Sequence, residues 1–293
     1  MKSNKVIERL DSVITESLPD RARVVSVTSG KGGVGKSNLV ANLAIGLAAA
    51  GRRILILDAD LGLANIDLLF GLAPVKTIDD VLRGSAKLSE ILLEAYKNVY
   101  VLPASSGVAE LVDLDPSVRY GLLHEIESLD KEFDVLLLDT AAGISKSVLA
   151  FNGAADEIII VTTIEPTAII DAYATIKVLR RESGIRTFSL IANDVSTARE
   201  GLEVYRRLGG AVDRFMDIRL DYLGYVLHDE NLERAVKSKS PLMEIFPDAP
   251  ASKCITRIVE TMLAEEYALE PRGDVQFFWK RLLNQEAESM EAS

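Results

Sequence analysis

The sequence has a single cysteine, an excess of acidic over basic residues, and no long apolar run. Cys254 stands alone among 293 residues, which excludes an intrachain disulfide and an iron–sulfur cluster held by this chain's cysteines alone. The net charge of −11 argues against a surface for non-specific nucleic-acid binding. No apolar run approaches the ~18 residues of a membrane span, and the first residues lack the apolar core of a signal peptide. We therefore expect a cytoplasmic protein whose membrane contacts are peripheral.

Short apolar runs alternate with helical segments from residue 23 onward. The runs 135–138 and 158–161 are apolar throughout, which is typical of strands covered on both faces. The alternation predicts an α/β fold with three layers, a mainly parallel twisted sheet with helices on both faces. The predicted strands span residues 23–29, 53–58, 98–102, 134–139, 157–163, 186–192 and 221–226.

The domain organisation follows from composition. Hydrophobic residues make up 48% of the chain, enough for a large core, and no linker-like segment interrupts residues 21–265. We expect one domain over 21–265. A short leader helix is predicted over residues 1–20, and a tail over residues 266–293.

A glycine-rich segment between the first predicted strand and the helix after it fits the phosphate-binding loop. Glycines let the backbone curl so that successive N–H groups converge on phosphate oxygens, and the next helix directs its positive end at the same anion. Lys36 is then expected to contact the β- and γ-phosphates, and Ser37 to bind Mg²⁺. The predicted ATP-binding residues of this segment are Gly30, Lys31, Gly32, Gly33, Val34, Gly35, Lys36, Ser37 and Asn38.

Carboxylates follow two of the predicted strands. Asp58 and Asp60 stand where the second strand ends, in the crevice where such sheets bind ligands, although either could cap the next turn. Asp139 ends the apolar run of the fourth strand, as in a Walker B motif. A buried strand of this kind carries its carboxylate to the Mg²⁺ region, where Asp139 would hold a metal-bound water.

A second lysine, Lys31, directly follows the first glycine of the loop, in the order Lys-Gly-Gly-Val-Gly-Lys-Ser. This form resembles the deviant Walker A motif of the MinD/ParA ATPases. The resemblance implies a homodimer with ATP between its subunits, in which Lys31 reaches the partner's phosphates. It also implies that Asp60 positions the attacking water and that Asp58 lies in the outer Mg²⁺ shell. Lys31, Lys36 and Asp60 are therefore the predicted catalytic residues.

Asn193 ends the apolar run of the sixth predicted strand. Its amide could donate to and accept from an adenine edge, or it could simply belong to a turn. The MinD/ParA resemblance places an adenine-binding asparagine at this strand end. Because no Asn-Lys-x-Asp guanine motif follows, the resemblance favours ATP over GTP.

The tail contains an apolar stripe at helical spacing over about 274–284, flanked by Lys280 and Arg281. This helix could dock on the protein's own surface or lie on anionic lipid with its basic flanks at the head groups. The resemblance to MinD favours reversible binding to the inner membrane in the ATP state. The predicted membrane-binding residues are Val275, Phe278, Trp279, Leu282 and Leu283.

Two segments, Glu-Pro-Thr…Asp-Ala-Tyr over 165–173 and the run from Asp58 to Asp67, are especially similar to the flagellar-number group FlhG/FleN. This resemblance spans 22–284 and implies a slow ATPase switch that regulates flagellar number or placement. Its implied partners are flagellar switch-complex proteins, a flagellar transcription activator or the FlhF GTPase.

Residues 1–20 lack the Asp-Gln-Ala motif with which many FlhG proteins stimulate FlhF, so the transcription activator is favoured. Two alternatives remain open: a ParA-type DNA-partitioning ATPase, and a nucleotide-gated binding module with negligible turnover.

Overall fold

The computed structural model describes residues 22–60, 65–103 and 132–266. The strands are β1 Arg23–Ser29, β2 Ile54–Ala59, β3 Leu93–Tyr96, β4 Val99–Leu102, β5 Val135–Ala142, β6 Glu157–Thr162, β7 Thr187–Val195 and β8 Arg219–Leu227. They form one sheet in the order β3-β4-β2-β5-β1-β6-β7-β8. Neighbouring strands are parallel, except that β3 and β4 are antiparallel.

Helices connect these strands and cover both faces of the sheet. They are α1 Lys36–Ala49, α2 Ile66–Leu69, α3 Ile78–Leu82, α4 Leu88–Ile91, α5 Lys146–Ala154, α6 Pro166–Ser183, α7 Ala198–Phe215, α8 Glu230–Lys237, α9 Leu242–Ile245 and α10 Pro250–Glu266. None of the helices in the described ranges combines the length and the apolarity that a bilayer span requires.

Alternate residues along each strand enter opposite layers, as expected for a sheet covered on both faces. Val25 of β1 belongs to the core cluster that includes residues of α1 and α10. Val24, its neighbour, belongs to a second cluster with Phe151 of α5. Ile160 of β6 belongs to a third cluster with Ile176 of α6. The predicted three-layer α/β fold is therefore confirmed.

The sequence prediction located seven of these strands and missed β3. Its four residues pair antiparallel with β4 through a turn in which Asn98 has a φ of 63°. Four residues of mixed burial give too short an alternation to identify a strand. The leader helix and the apolar stripe at 274–284 lie outside the described residues, and the division into domains stays a prediction.

Candidate nucleotide-binding site

The phosphate-binding loop, residues 30–35, joins β1 to α1. Gly33 and Gly35 have φ values of 79° and 89°, in the left-handed region that other residues rarely adopt. A Cβ at Gly30 would lie 2.1 Å from the backbone carbon of Asp171 in α6, so that position requires glycine for close approach. The N–H groups at the start of α1 have no partner within the helix and are available to an anion. The loop therefore has the backbone geometry of a phosphate site.

Asp139 of β5 lies beside the start of α1 and is 1% exposed. Burial raises the pKa of Asp139 from its ordinary 3.8 to about 7, while Lys36 lowers it and Asp58 raises it further. The hydroxyl of Ser37 is near enough to lower this pKa as well, but neither carboxylate oxygen has a full hydrogen bond to any described residue. A buried carboxylate in this condition favours a bound cation.

Asp58 of β2 is the register partner of Asp139, and it is 2% exposed. Its carboxylate accepts backbone N–H groups of Asp60 at 3.0 Å, Asn65 at 2.9 Å and Ile66 at 3.1 Å. Burial raises the pKa of Asp58, and these three donors oppose the rise. Asp58 thus binds the backbone just after β2 and at the start of α2, while its place in the outer Mg²⁺ shell stays a prediction, as does the water-positioning role of Asp60.

The segment after Asp139 is tied to β1. The hydroxyl of Thr140 donates to the carbonyl of Val27 at 3.1 Å, and the N–H of Gly143 donates to the carbonyl of Ser29 at 2.8 Å. These bonds attach residues 140–143 directly to the strand that enters the phosphate-binding loop.

Lys31 contacts α6 in this structure. Its ammonium group forms an ion pair with Glu165 and donates to the hydroxyl of Thr167 at 3.3 Å. The sequence analysis does not predict a pairing of Lys31 with Glu165 or Thr167. The sequence signal for this ion pair is weak, because it consists only of a carboxylate, Glu165, directly before Pro166. The contact of Lys31 with a partner's phosphates stays a prediction.

Asn193 and Asn38 both take part in contacts within the chain. The side-chain amide of Asn193 donates to the carbonyl of Val34 at 2.8 Å. The carbonyl of Asn38 accepts from the side-chain amide of Asn42 at 2.7 Å. The structure therefore brings Asn193 to the phosphate-binding loop, while its adenine contact and the ATP contact of Asn38 stay predictions.

The donors at this site fit Mg²⁺. The unpaired carboxylate of Asp139 and the hydroxyl of Ser37 supply oxygen, the ligand type that Mg²⁺ prefers. No group of three or more His, Cys, Asp or Glu side chains in the described ranges could hold a metal ion alone. That agrees with an ion held by few protein atoms together with water and phosphate oxygens.

These features define a P-loop nucleotide-binding site in a three-layer α/β fold. Residues 22–184 match a family model described as an AAA domain. The chain is 41% identical to Antiactivator FleN of Pseudomonas aeruginosa over 265 residues, which cover 90% of this chain and 95% of FleN. It is 36% identical to the Flagellum site-determining protein YlxH of Helicobacter pylori, with coverage of 96% and 98%.

A solved structure has the same architecture. The septum site-determining protein MinD of Pyrococcus horikoshii, complexed with Mg-ADP, aligns with a TM-score of 0.65 at 26% identity, covering 82% of this chain and 96% of MinD. The chain therefore belongs to the MinD-like members of the MinD/ParA family of P-loop ATPases.

Proposed function

We propose that this protein is an ATP-dependent switch that dimerises around ATP, hydrolyses it slowly, and regulates flagellar number or placement. The observation that carries the proposal is the cluster of buried Lys36, half-buried Ser37 and buried, unpaired Asp139 at a loop with phosphate-binding geometry. The flagellar role is supported by the similarity to FleN and to YlxH over most of both chains.

Each site residue has a distinct task in this proposal. Lys36 binds the phosphates of its own subunit and offsets the negative charge that develops during phosphoryl transfer. Ser37 would hold Mg²⁺, with Asp58 and Asp139 acting through water, and the bound ion would neutralise phosphate charge. Asp60 orients the attacking water, and Lys31 reaches the phosphates of the partner subunit.

A dimer face around the site is supported by three exposed apolar side chains. Leu68 lies in α2, whose first residue donates its N–H to Asp58, and Ile144 follows Gly143. Ile170 lies beside Asp171 in α6, where the phosphate-binding loop makes its close approach. Exposed apolar residues around a polar site are typical of an association surface. To reach the partner subunit's phosphates across this surface, the ammonium group of Lys31 would have to break its ion pair with Glu165.

Membrane association in the ATP state is proposed from the tail. The carbonyl of Met262, near the end of α10, accepts a hydrogen bond from Arg23 at the start of β1. The described chain therefore ends near the amino ends of the strands, opposite the phosphate-binding loop. Dimerisation at the loop would leave both tails free, and two weak amphipathic helices bind a bilayer through avidity.

Dimerisation is tested by light scattering after size exclusion, with ADP and with ATP. Wild type is expected to be monomeric with ADP and dimeric with ATP. Lys31→Ala and Lys36→Ala should stay monomeric in both, and Lys177→Ala, an exposed lysine in the second half of α6, should behave as wild type. A monomer in every condition would overturn the ATP-bridged dimer.

Membrane binding is tested by co-sedimentation with anionic liposomes. Full-length protein should sediment with ATP and stay soluble with ADP, and protein lacking residues 274–293 should stay soluble with both. Equal sedimentation of the intact and shortened proteins would remove the tail from the proposal.

The flagellar role is tested by expression in Pseudomonas aeruginosa lacking FleN, with flagella counted per cell. Wild type is expected to restore the normal number, and Lys36→Ala is not. An unchanged count with wild-type protein present at normal level would contradict the role in that pathway.

A further inference from the structure

We propose that Asn193 is a positioning residue that holds the phosphate-binding loop in its anion-binding shape, whichever base the nucleotide carries. The proposal rests on phosphate binding at this loop, as in the proposed function. Its basis is the 2.8 Å hydrogen bond from the side-chain amide of Asn193 to the carbonyl of Val34, inside the loop. Asn193 is 7% exposed, so water competes little for this bond.

The end of β7 places the side chain of Asn193 beside the phosphate-binding loop. Its side chain lies on the same face as Ile191, which belongs to the core cluster shared with α1. The pairing of β7 with β8 shifts register between Ala192 and Val195, and Asp194 has a left-handed φ of 57°. An irregularity of this kind bends a strand and redirects its side chains.

Contacts with β8 and its following loop fix this irregular strand end in place. The side chain of His228 hydrogen-bonds with the carboxylate of Asp194 at 2.7 Å, and its backbone N–H donates to the carbonyl of Val195 at 2.9 Å. The two residues that follow Asn193 are therefore fixed by the loop after β8, while its own side chain contacts the phosphate-binding loop. A side chain on a backbone fixed in this way is suited to positioning a flexible neighbour.

A hydrogen bond at Val34 restrains the phosphate-binding loop, whose glycines otherwise allow many backbone conformations. Gly35 directly follows Val34 and has a φ of 89°. A Cβ at Gly35 would lie 2.4 Å from the amide nitrogen of Asn193, so the absence of a side chain there leaves room for the amide. Residues with such freedom lose the most entropy on ordering, and a fixed hydrogen bond in the free protein reduces what the ligand must supply.

This positioning role is separable from adenine recognition. The amide of Asn193 keeps a second N–H and its oxygen lone pairs for a base edge, so the two roles are compatible. They differ in their consequences. A pure base contact affects only ligands that carry adenine, whereas loss of the hold on Val34 affects every ligand that uses the loop.

The test is binding of Mg²⁺ with ATP, and of Mg²⁺ with inorganic tripolyphosphate, to full-length protein by calorimetry. Asn193→Asp keeps the side-chain size but places a carboxylate oxygen against the carbonyl of Val34. Affinity for tripolyphosphate should fall roughly tenfold, and affinity for ATP by at least that factor. Asn193→Ala should give a smaller loss, again of both affinities. If only ATP affinity falls, or if neither falls, the positioning role is overturned.

The matched control is Asn152→Asp. Asn152 is also buried and also donates to a backbone carbonyl, that of Val148 at 2.7 Å, but it lies in α5 and does not touch the loop. It should lower stability and leave the affinity for ATP and the affinity for tripolyphosphate each unchanged. An equal loss of both affinities in this control would show a general effect of stability and would count against the proposal.

A second measurement does not depend on nucleotide. Hydrogen exchange of the amides in residues 30–37, in nucleotide-free protein, should become roughly tenfold faster in Asn193→Asp and stay unchanged in Asn152→Asp. Unchanged exchange in Asn193→Asp would overturn the positioning role. By contrast, wild-type protein that binds neither ATP nor tripolyphosphate would overturn the proposed function, whatever the exchange shows.

Discussion

The ends of β2 and β5 carry neighbouring aspartates that the fold treats in opposite ways. Asp58 and Asp139 are register partners, both nearly inaccessible to solvent, and burial raises the pKa of each. Asp58 accepts three backbone N–H groups, whereas the oxygens of Asp139 have no hydrogen-bond partner among the described residues. Burial alone therefore does not identify a ligand-binding carboxylate. Asp58 binds the protein's own backbone, whereas both oxygens of Asp139 remain available to an external cation.

The largest effect on folding is expected from Asp58→Ala. This change removes the acceptor of three N–H groups, one of which, that of Ile66, is in a fully buried bond. We expect a loss of about 3 kcal/mol in the free energy of unfolding of nucleotide-free protein, measured with urea. Asp248→Ala, an exposed aspartate in the loop before α10, should change it by less than about 0.5 kcal/mol.

The same experiment can contradict this interpretation of Asp58. If Asp58→Ala lowers the free energy of unfolding no more than the control does, water replaces the carboxylate as the acceptor of these N–H groups. Asp58 and Asp139 would then differ in their hydrogen bonds but not in what Asp58 contributes to stability.

Asp139→Asn is expected to stabilise nucleotide-free protein, and only above acidic pH. The carboxyl group of Asp139 ionises at about pH 7 in the folded chain and near 3.8 when exposed. Protonation therefore favours folding, and this contribution is complete below pH 4 and lost as pH rises to 7. Asparagine keeps the neutral form at every pH. We expect a gain of about 2 kcal/mol at pH 8, and much less at pH 5, by thermal or urea unfolding.

Addition of Mg²⁺ and ATP should reverse the order of these two proteins at pH 8. Wild type gains stability by binding, in proportion to the logarithm of ligand over Kd, and Asp139→Asn gains less because it lacks the charge. A pH-independent difference between the proteins would show that Asp139 does not titrate in the folded chain, and equal stabilisation by ligand would show that its carboxylate does not take part in binding.

The sequence predicts the parts of this site that depend on local pattern. The strand ending in Asp139 and the loop ending in Ser37 each carry their chemistry within a few residues, so their positions follow from the strand–helix alternation. The partner of a side chain is harder to predict. Glu165 lies 134 residues from Lys31, and Val34 lies 159 residues from Asn193.

Pairs this distant are set by strand order and register. The contact of Asn193 with Val34 lies where the register between β7 and β8 shifts, and no residue pattern in β7 signals it. Likewise, the sequence already offers the role of Asp58 as an acceptor for backbone N–H groups. That Asp139 lies beside Asp58, and that its oxygens have no hydrogen-bond partner among the described residues, follows only from the pairing of β2 with β5.

The smallest effect on folding is expected at the pair of Lys31 and Glu165, whose side chains are 39% and 61% exposed. Glu165→Gln should change the free energy of unfolding by less than about 1 kcal/mol, since exposed ion pairs contribute little. It should nevertheless lower the dissociation constant of the ATP-dependent dimer by roughly threefold. In this variant Lys31 does not have to break an ion pair before it reaches the second subunit. Sedimentation over a range of protein concentrations measures this constant. Glu182→Gln, which breaks an exposed pair with Arg181 at the other end of α6, should leave it unchanged.

Salt should affect the exposed pair of Lys31 and Glu165 more than the buried aspartates. At ~1 M NaCl the Debye length falls to about 3 Å, so the advantage of Glu165→Gln in dimerisation should shrink. The pH-dependent gain of Asp139→Asn should persist, because buried charges are screened much less. If Glu165→Gln weakens the dimer at low salt instead, Glu165 contributes to the contact between subunits and does not restrain Lys31. The exposed carboxylate would then act in assembly directly, whereas buried Asp58 binds backbone N–H groups and buried Asp139 has no hydrogen-bond partner among the described residues.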